Sequence, residues 1–312
     1  MSSSPPPLRI GTRGSPLALA QAEDVAKRLA AAHLDLFTEI TVISTMGDRI
    51  LDRALSEVGG KGLFTKEIDE ALLDGRIDIA VHSMKDVPTW LPDGIRLPVI
   101  LEREDTRDVF ISNKAETLWE LPEGATVGSA ALRRQAQILR RRPDLKVVTF
   151  RGNVQTRLKK LAAGDVDATL LALAGLNRLG MSDVATSVLS EDEFLPAVAQ
   201  GAVGIACRAD DAATNGLIAP LSHTETQTCI AAERAFLATL DGSCRTPIAA
   251  RATLDGDRLS FRGLIAGLDG REVFEDARAG AAADADGIGR AAGEAVMAEA
   301  GEDFFTALKA AL

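Results

Sequence analysis

Cysteine and histidine are both scarce in this chain of 312 residues, which contains three of each. The number of cysteines is odd, and the N-terminus, MSSSPPPLRI, lacks the basic and apolar regions of a secretory signal, so a disulfide framework is not expected. The spacing of the cysteines and the shortage of histidine also argue against a metal site. We therefore expect a cytosolic protein without a bound metal, in which each cysteine is considered singly.

Long apolar runs and aromatic residues are lacking as well. The best apolar stretch, Ala168 to Leu176, is far shorter than the roughly 20 residues that cross a bilayer. The formal net charge of −10 disfavours non-specific binding to nucleic acid and adsorption to membranes. Tyrosine is absent, and only Phe150 accompanies the main group of basic residues, which counts against base stacking. We expect neither a nucleic-acid partner nor a membrane partner.

Positive charge is nevertheless concentrated in one part of the chain. Between Leu132 and Lys160 there are ten Arg or Lys residues and one acid, Asp144. A local cationic zone in an acidic protein indicates a small anionic ligand.

Five arginines lie in or just after turns that lead from a predicted strand to a predicted helix: Arg13, Arg133, Arg134, Arg151 and Arg157. Free N–H groups and the helix dipole favour an anion at such turns, and a guanidinium matches a carboxylate or a phosphate. These arginines favour an anion-binding cleft between two α/β halves. A solvated helix face is the alternative, and it fits a second set: Arg140, Arg141, Arg142, Lys159 and Lys160.

The segment RIDIAVHSMKDVP, residues 76–88, is predicted to be a buried strand followed by a rigid turn. Lys85 and Asp86 then lie just past the carboxyl end of the strand, where ligands bind in open α/β sheets. The pair is either a surface ion pair or an acid/base group with its charge partner, and these residues alone leave both interpretations open.

The remaining segments predict three further features. Met46 to Gly62 is rich in glycine and charge, which is typical of a lid over a site and equally of a mobile surface loop. Leu195 to Asp211 could return the chain to its first half. Beyond about Ala219, a helix over Thr224 to Leu240, two Asp-Gly hairpin signals and a helical C-terminus predict a small separate domain.

The three cysteines fall in different contexts. Cys207 lies in an apolar run and Cys229 in a predicted helix, so both are expected to be buried. Cys244 lies in a Gly/Ser turn beside Arg245. The positive neighbour favours the thiolate and the carboxyl end of the preceding helix disfavours it, so the reactivity of Cys244 stays open at this point.

Taken together, these segments resemble the hydroxymethylbilane synthase, or porphobilinogen deaminase, family. The matching motifs run in order from about Arg9 to Ala250: IGTRGSPLALAQ, KGLFTKEI, DIAVHSMKDVP, LRRQAQ, FRGNVQTRL, LAGLNRLG, PAVAQGAVGI and GSCRTPIAA. The resemblance implies an α/β protein of three domains. The first two, residues 1–101 plus 200–219 and residues 102–199, would resemble the lobes of type II periplasmic binding proteins. The third, residues 220–312, would be a small α+β domain with a three-stranded antiparallel sheet.

The resemblance also implies a chemistry: the stepwise condensation of four porphobilinogen molecules into hydroxymethylbilane with release of ammonia, on a covalent dipyrromethane cofactor. The implied catalytic residues are Asp86 and Lys85, and Cys244 is the implied thioether attachment site. The other implied cofactor-binding residues are Arg133, Arg134, Ser129, Lys85 and Arg157. The implied substrate-binding residues are Arg13, Ser15, Lys61, Arg151, Arg157, Arg178 and Gln200. No metal is implied, and a monomer is expected.

The chain departs from the family's pattern at a few positions. Ala130 and Ala131 stand where many members have serines, Ala199 replaces a frequent glycine, and Ser243, Arg245 and Thr246 surround the cysteine in place of Gly, Gln and Val. These changes bear on substrate contacts rather than on the chemistry. A non-catalytic two-lobed anion-binding protein is the rival interpretation, but it gives no role to Asp86 or Cys244.

Overall fold

The computed structural model describes residues 6–49, 62–242 and 246–312. In chain order its strands are β1 Leu8–Thr12, β2 Thr38–Val42, β3 Ile79–Ser83, β4 Ile95–Ile100, β5 Asp108–Ser112, β6 Thr126–Gly128, β7 Lys146–Val148, β8 Ala168–Ala172, β9 Ser187–Val188, β10 Val203–Arg208, β11 Ile248–Asp255, β12 Arg258–Ala266 and β13 Val273–Ala281. Its α-helices are α1 Pro16–Ala32, α2 Met46–Arg49, α3 Lys66–Leu73, α4 Leu132–Arg141, α5 Val154–Ala162, α6 Leu173–Arg178, α7 Ala212–Ile218, α8 Thr224–Thr239 and α9 Ala285–Ala311.

The chain forms two compact units. The described part of the first consists of residues 6–49, 62–103 and 202–227, and that of the second consists of residues 104–201, 228–242 and 246–312. The predicted return of the chain is confirmed, because β10 pairs antiparallel with both β3 and β4 in the sheet of the first unit. The division into three domains stays a prediction.

Two five-stranded sheets, one in each unit, share one topology. The first has the order β2-β1-β3-β10-β4 and the second the order β7-β6-β8-β5-β9. In each, three parallel strands are followed by a strand that is antiparallel to both of its neighbours, β10 in one sheet and β5 in the other. The common order indicates two related α/β halves. The similar segments GTRGSPLALAQA and VGSAALRRQAQ occupy matching places in them, from β1 into α1 and from β6 into α4.

Apolar side chains of β3 point alternately to the two faces of the first sheet, and helices cover both faces. Ile79 and Val81 of β3 pack with Val25 and Leu29 of α1, whereas Ala80 faces a cluster that contains residues of α3. Successive side chains of a strand point to opposite faces, so a wholly buried strand needs apolar residues throughout. The second five-stranded sheet likewise has two apolar clusters, one with residues of α4 and one with residues of α5 and α6.

The C-terminal region forms the predicted three-stranded antiparallel sheet, in the order β11-β12-β13. Asp255 pairs with Arg258 across the first hairpin, and the second hairpin turns at Gly270, which has φ of 71°. Both Asp-Gly signals are therefore confirmed as turns, and so is the α/β class with a small antiparallel third sheet. In the described part of the chain, no helix has the length and apolar character needed to cross a membrane.

Two segments have local patterns that differ from their structure. The β-branched run ITVIS predicts a strand over Ile40 to Ser44, but β2 covers Thr38–Val42, because its register with β1 is set by Leu8 opposite Thr38. The apolar periodicity from Leu63 predicts a helix that starts there, but α3 begins at Lys66, after a turn that starts at Gly62, which has φ of 82°. Tertiary pairing sets such boundaries, and local propensity does not contain that information.

Candidate active site

The turn between β1 and α1 carries Arg13 and Ser15. Ser15 caps α1, since its hydroxyl accepts the N–H of Ala18 at 3.2 Å, and Pro16 occupies the first helical position. Arg13 lies just before the cap, and its guanidinium contacts two carboxylates of the first unit, Asp48 and Asp86. The predicted basic turn is therefore built as expected, and Arg13 is part of an internal ion-pair group.

Asp86 lies in a short 3-10 turn, Met84–Asp86, directly after β3. The turn is anchored on the sheet, because the N–H of Met84 donates to the carbonyl of Ala202 at 3.0 Å. The carboxylate of Asp86 remains 25% exposed and accepts from Nη1 of Arg13 at 3.4 Å. Lys85 precedes it in the same turn and is partly buried. Asp86 is thus a partly accessible carboxylate beside a guanidinium at the end of a buried strand.

His82 lies beneath this turn, in β3, and is buried. Burial, assisted by the positive charge of Arg13, lowers the pKa of His82 to about 4 from its ordinary value of 6.5. The imidazole is therefore neutral at physiological pH. The charges at this turn therefore come from Arg13, Lys85 and Asp86.

In the second unit, Arg133 and Arg134 share one fully buried carboxylate, Asp108. Nη1 of Arg133 donates to Oδ2 of Asp108 at 2.6 Å, and Nη2 of Arg134 donates to Oδ1 at 2.7 Å. Burial alone would raise the pKa of Asp108, but the two guanidinium groups and their hydrogen bonds hold it well below its usual range. Asp108 begins β5, and both arginines belong to the first turn of α4.

Gln200 completes this network. Its side-chain amide donates to the carbonyl of Thr106 at 2.7 Å and to Oδ1 of Asp108 at 2.9 Å, and its Oε1 accepts from Arg133 at 3.1 Å. Gln200 is fully buried. The structure thus brings together three predicted binding residues, Arg133, Arg134 and Gln200, around a carboxylate that the sequence reasoning missed.

Arg151 and Arg157 lie where β7 leads into α5. Asn153 caps α5 by accepting the N–H of Thr156 at 2.8 Å, and Nε of Arg157 donates to the carbonyl of Gly152 at 2.9 Å. Burial and, to a smaller extent, the positive charges of Arg134 and Arg151 together lower the pKa of Arg157 to about 10. In the part of the chain that the structure describes, no carboxylate pairs with Arg157.

An anionic ligand would balance the positive charge of Arg157, which no carboxylate of the described residues balances. Three guanidinium groups influence one another there, and Asp108 is the one fully buried acid that the described residues place against them. Nε of Arg134 is also buried without an acceptor among the described residues. A group that carries several carboxylates, as a dipyrromethane does, fits the chemistry of these donors.

The other predicted site residues of the second unit occupy the ends of secondary-structure elements. Arg178 ends α6, and its Nη2 donates to the carbonyl of Gly201 at 2.8 Å. Ser129 follows β6 and is buried, and its hydroxyl accepts the N–H of Ala131 at 3.2 Å. That bond stabilises the backbone at the start of α4, because the N-cap residue, Ala131, has no side-chain acceptor of its own.

Three sequence predictions concern residues outside the described ranges. They are the cofactor attachment at Cys244, the substrate contact of Lys61 and most of the lid between Met46 and Gly62, of which Met46–Arg49 form α2. The other two cysteines, Cys207 and Cys229, are buried as expected. Burial raises the pKa of the Cys207 thiol, which makes it a poor nucleophile.

Asp48 and Asp108 were missed for different reasons. Asp48 is the fourth residue of Thr-x-x-Asp, the pattern of a capping box, but it lies in the segment whose glycine and charge indicate a lid or a mobile surface loop. Asp108 has no comparable signal, because its partners in α4 lie 25 and 26 residues away in the chain.

Comparison with protein families gives two matches in chain order. The model of the porphobilinogen deaminase dipyromethane cofactor binding domain matches residues 8–216, and that of the porphobilinogen deaminase C-terminal domain matches residues 227–298. A chloroplastic porphobilinogen deaminase of Oryza sativa subsp. japonica is 60% identical over 97% of this chain and 86% of its own length. A porphobilinogen deaminase of Nitrobacter winogradskyi is 59% identical over 95% of each chain.

Similar solved structures include periplasmic binding proteins. A periplasmic substrate-binding protein of an ABC transporter from Coxiella burnetii is 19% identical, covers 69% of this chain and 91% of its own, and has a TM-score of 0.43. The aliphatic sulphonate binding protein SsuA of Escherichia coli is 15% identical, covers 76% and 71%, and has a TM-score of 0.41.

Proposed function

Because the chain belongs to the porphobilinogen deaminase family, we propose that it is a hydroxymethylbilane synthase, a transferase of tetrapyrrole biosynthesis. It joins four porphobilinogen molecules head to tail, releases ammonia at each addition, and frees the linear product by hydrolysis. The observation that carries this proposal is the excess positive charge of Arg157, which lies near Arg134 and pairs with no carboxylate among the described residues.

Substrate and product chemistry accounts for that excess. Porphobilinogen bears an acetate and a propionate, so each addition brings two more carboxylates. Arg151 and Arg157 bind such carboxylates, with Arg13, Ser15, Lys61, Arg178 and Gln200 as further substrate contacts. A planar guanidinium with two parallel donors is the side chain best matched to a carboxylate.

Asp86 is the catalytic carboxylate in this proposal. Loss of ammonia from porphobilinogen leaves an electron-poor pyrrole, and a fixed negative charge nearby stabilises the cationic character that develops. Asp86 also moves protons at the pyrrole nitrogen, and Lys85 assists beside it. The rigid turn after β3 supports this role, since its anchoring on Ala202 keeps the carboxylate in one place.

A covalent dipyrromethane, attached through a thioether to Cys244, is the proposed cofactor. When bound, it supplies the pyrrole carbon to which the first substrate molecule is joined. Arg133, Arg134, Ser129, Lys85 and Arg157 are the residues proposed to hold it, and Asp108 fixes the two arginines of α4. A cytoplasmic location, a monomeric state and the absence of a nucleic-acid or membrane partner belong to the same proposal.

The test is conversion of porphobilinogen by the purified protein, with Asp86→Asn and Asp86→Glu as variants. Wild type is expected to release ammonia and hydroxymethylbilane. In single turnovers of cofactor-loaded protein, Asp86→Asn is expected to be slower by about 10²- to 10³-fold, the typical cost of one strong transition-state contact. Asp86→Glu retains the charge and is expected to keep more activity. A wild type that binds porphobilinogen without releasing ammonia would instead favour the anion-binding protein.

A further inference from the structure

The guanidinium of Arg13 is restrained on three sides by residues of its own unit. Asp48 takes one edge: Nε donates to its two oxygens at 3.1 and 3.2 Å, and Nη2 donates to Oδ1 at 2.5 Å. Phe64 covers the face, with its ring centroid 4.3 Å from Cζ. Asp86 accepts from the remaining end, Nη1, at 3.4 Å. The orientation of Arg13 relative to Asp86 is therefore set mainly by Asp48 and Phe64.

Asp48 is itself held in place. It is the third residue of α2, and it accepts from the hydroxyl of Thr45 at 2.8 Å and from the backbone N–H of Thr45 at 3.4 Å. Burial would raise the pKa of Asp48, but the hydrogen bonds from Arg13 and Thr45 lower it, so the carboxylate is ionised. Thr45 is fully buried. Asp48 is thus a fixed anion rather than a mobile surface charge.

The close approach of Phe64 depends on Gly47. A Cβ at residue 47 would lie 2.2 Å from Cε1 of the Phe64 ring, a distance that no side chain tolerates. Gly47 and Asp48 are consecutive residues of α2, so one short helix fixes both the edge and the face of the Arg13 guanidinium.

The contact between Arg13 and Asp48 affects the charge around Asp86. One guanidinium faces two carboxylates, so the group of Arg13, Asp48 and Asp86 carries one net negative charge. The shorter, two-pronged contact goes to Asp48, and the contact to Asp86 is longer by 0.9 Å (3.4 Å against 2.5 Å). With the charge of Arg13 largely balanced by Asp48, Asp86 keeps its negative charge for another cation.

We propose that Asp48 is a positioning residue of the reaction: it holds Arg13 by its edge and balances its charge, so that Asp86 is free to stabilise the substrate cation. This inference rests on the proposed function and deepens it. Without Asp48, the guanidinium turns toward Asp86 and forms a tight pair with it. Substrate carboxylates then meet a less negative surface, while the developing cation loses its counter-charge.

Steady-state kinetics on cofactor-loaded Asp48→Asn test this proposal. We expect kcat to fall by about tenfold or more, the order of one lost charge-assisted contact, while KM for porphobilinogen stays the same or decreases. Glu67→Gln is the matched control, because it removes another carboxylate that pairs with α2, through Arg49 at 2.8 Å. That variant is expected to retain wild-type kcat and KM. A simultaneous rise in KM and unchanged kcat in Asp48→Asn would overturn the proposal.

A double-mutant cycle with Arg13→Met separates positioning from a merely structural effect. If Asp48 acts through Arg13, Asp48→Asn lowers kcat in the wild-type background and has no further effect once Arg13 is replaced. Additive losses in the two backgrounds would contradict the inference. If Asp48→Asn does not fold, as judged by its thermal transition, Thr45→Val replaces it in the cycle. Thr45→Val removes the 2.8 Å bond that holds Asp48 and is expected to give a smaller fall in kcat, again only when Arg13 is present.

The same measurements distinguish this inference from the proposed function. If wild type converts porphobilinogen but Asp48→Asn behaves like Glu67→Gln, the positioning role is wrong and the function stands. If wild type releases no ammonia from porphobilinogen, the proposed function fails first.

Discussion

Glu233 accepts the backbone N–H of Ala199 at 2.7 Å, and Ala199 has φ of 59°, in the left-handed region that L residues other than glycine seldom occupy. The other oxygen of the fully buried Glu233 accepts the N–H of Ala252, in β11, at 2.8 Å. The carboxylate therefore ties α8 and the third sheet to the residue directly before Gln200. This bond offsets part of the cost of having alanine where many family members have glycine.

Ala199→Gly is expected to stabilise the protein, because glycine adopts this φ without steric cost. The left-handed conformation costs an L residue roughly 1–2 kcal/mol, and the greater freedom of glycine in the unfolded chain offsets about 0.5–1 kcal/mol of that. A net gain of about 0.5–1 kcal/mol should appear in urea unfolding. Ala197→Gly, at a residue without positive φ, is the control and should be destabilising. Equal losses in the two variants would contradict the argument from strain.

Asp108→Asn is expected to be severely destabilising. The substitution leaves Arg133 and Arg134 buried without their shared counter-charge, and breaking a buried ion pair in this way costs about 3–5 kcal/mol. Urea unfolding measures the loss. Asp144→Asn removes a carboxylate that pairs with Arg142 at a far more accessible position, and it should change stability little. Similar stability of the two variants would show that the Asp108 network is unimportant for folding.

Arg157→Leu is expected to impair cofactor assembly or chain elongation by about tenfold or more, since it removes a charge-assisted carboxylate contact. Lys159→Leu removes a positive charge from the exposed face of the same helix and should have no such effect. Arg157→Lys keeps the charge without the planar fork and should fall between them. Turnover of porphobilinogen, normalised to the fraction of protein with cofactor, provides the comparison. Equal activities of Arg157→Leu and Lys159→Leu would place Arg157 among the solvated surface residues.

Burial of neutral His82 should make stability decrease as the pH falls, because its imidazole binds a proton more readily in the unfolded chain than in the folded one. The pKa of His82 is about 4 when folded and 6.5 ordinarily, so its contribution is fully present above pH 6.5 and is lost progressively toward pH 4. The full difference corresponds to about 3 kcal/mol. Asp108, whose pKa is depressed, acts in the same direction but only at more acidic pH.

Urea unfolding at several values between pH 7 and pH 4 tests this prediction, with His82→Gln as the non-titrating variant. The variant should show a flatter pH dependence than wild type over that range. A wild-type slope in His82→Gln would assign the acid sensitivity to other groups.

The fold was predictable where local signals and tertiary structure agree. Ser15 with Pro16, Asn153 and the two Asp-Gly turns specify caps and hairpins from neighbouring residues alone, and the structure has each of them. The alternation of apolar residues in β3 similarly identifies a buried strand with Asp86 at its end.

The site was predictable only in part, because its counter-charges come from distant segments. The sequence indicates an excess of arginine at strand-to-helix turns. It does not say that Asp108 neutralises two of them, or that Arg157 pairs with no carboxylate in the part of the chain that the structure describes. Asp48 meets Arg13 across 35 residues of chain, a contact that depends on how α2 lies against the β1–α1 turn. Such pairings are set by the packed sheet and not by any local pattern.

The intact mass of the denatured protein tests the central claim most directly. Wild type is expected to exceed its sequence mass by one covalently bound dipyrromethane, and Cys244→Ser is expected to have its sequence mass and no activity. Cys207 and Cys229 are buried, so replacing either by serine should leave the adduct in place. An active wild type without an adduct, or an adduct that maps to Cys207 or Cys229, would contradict the account.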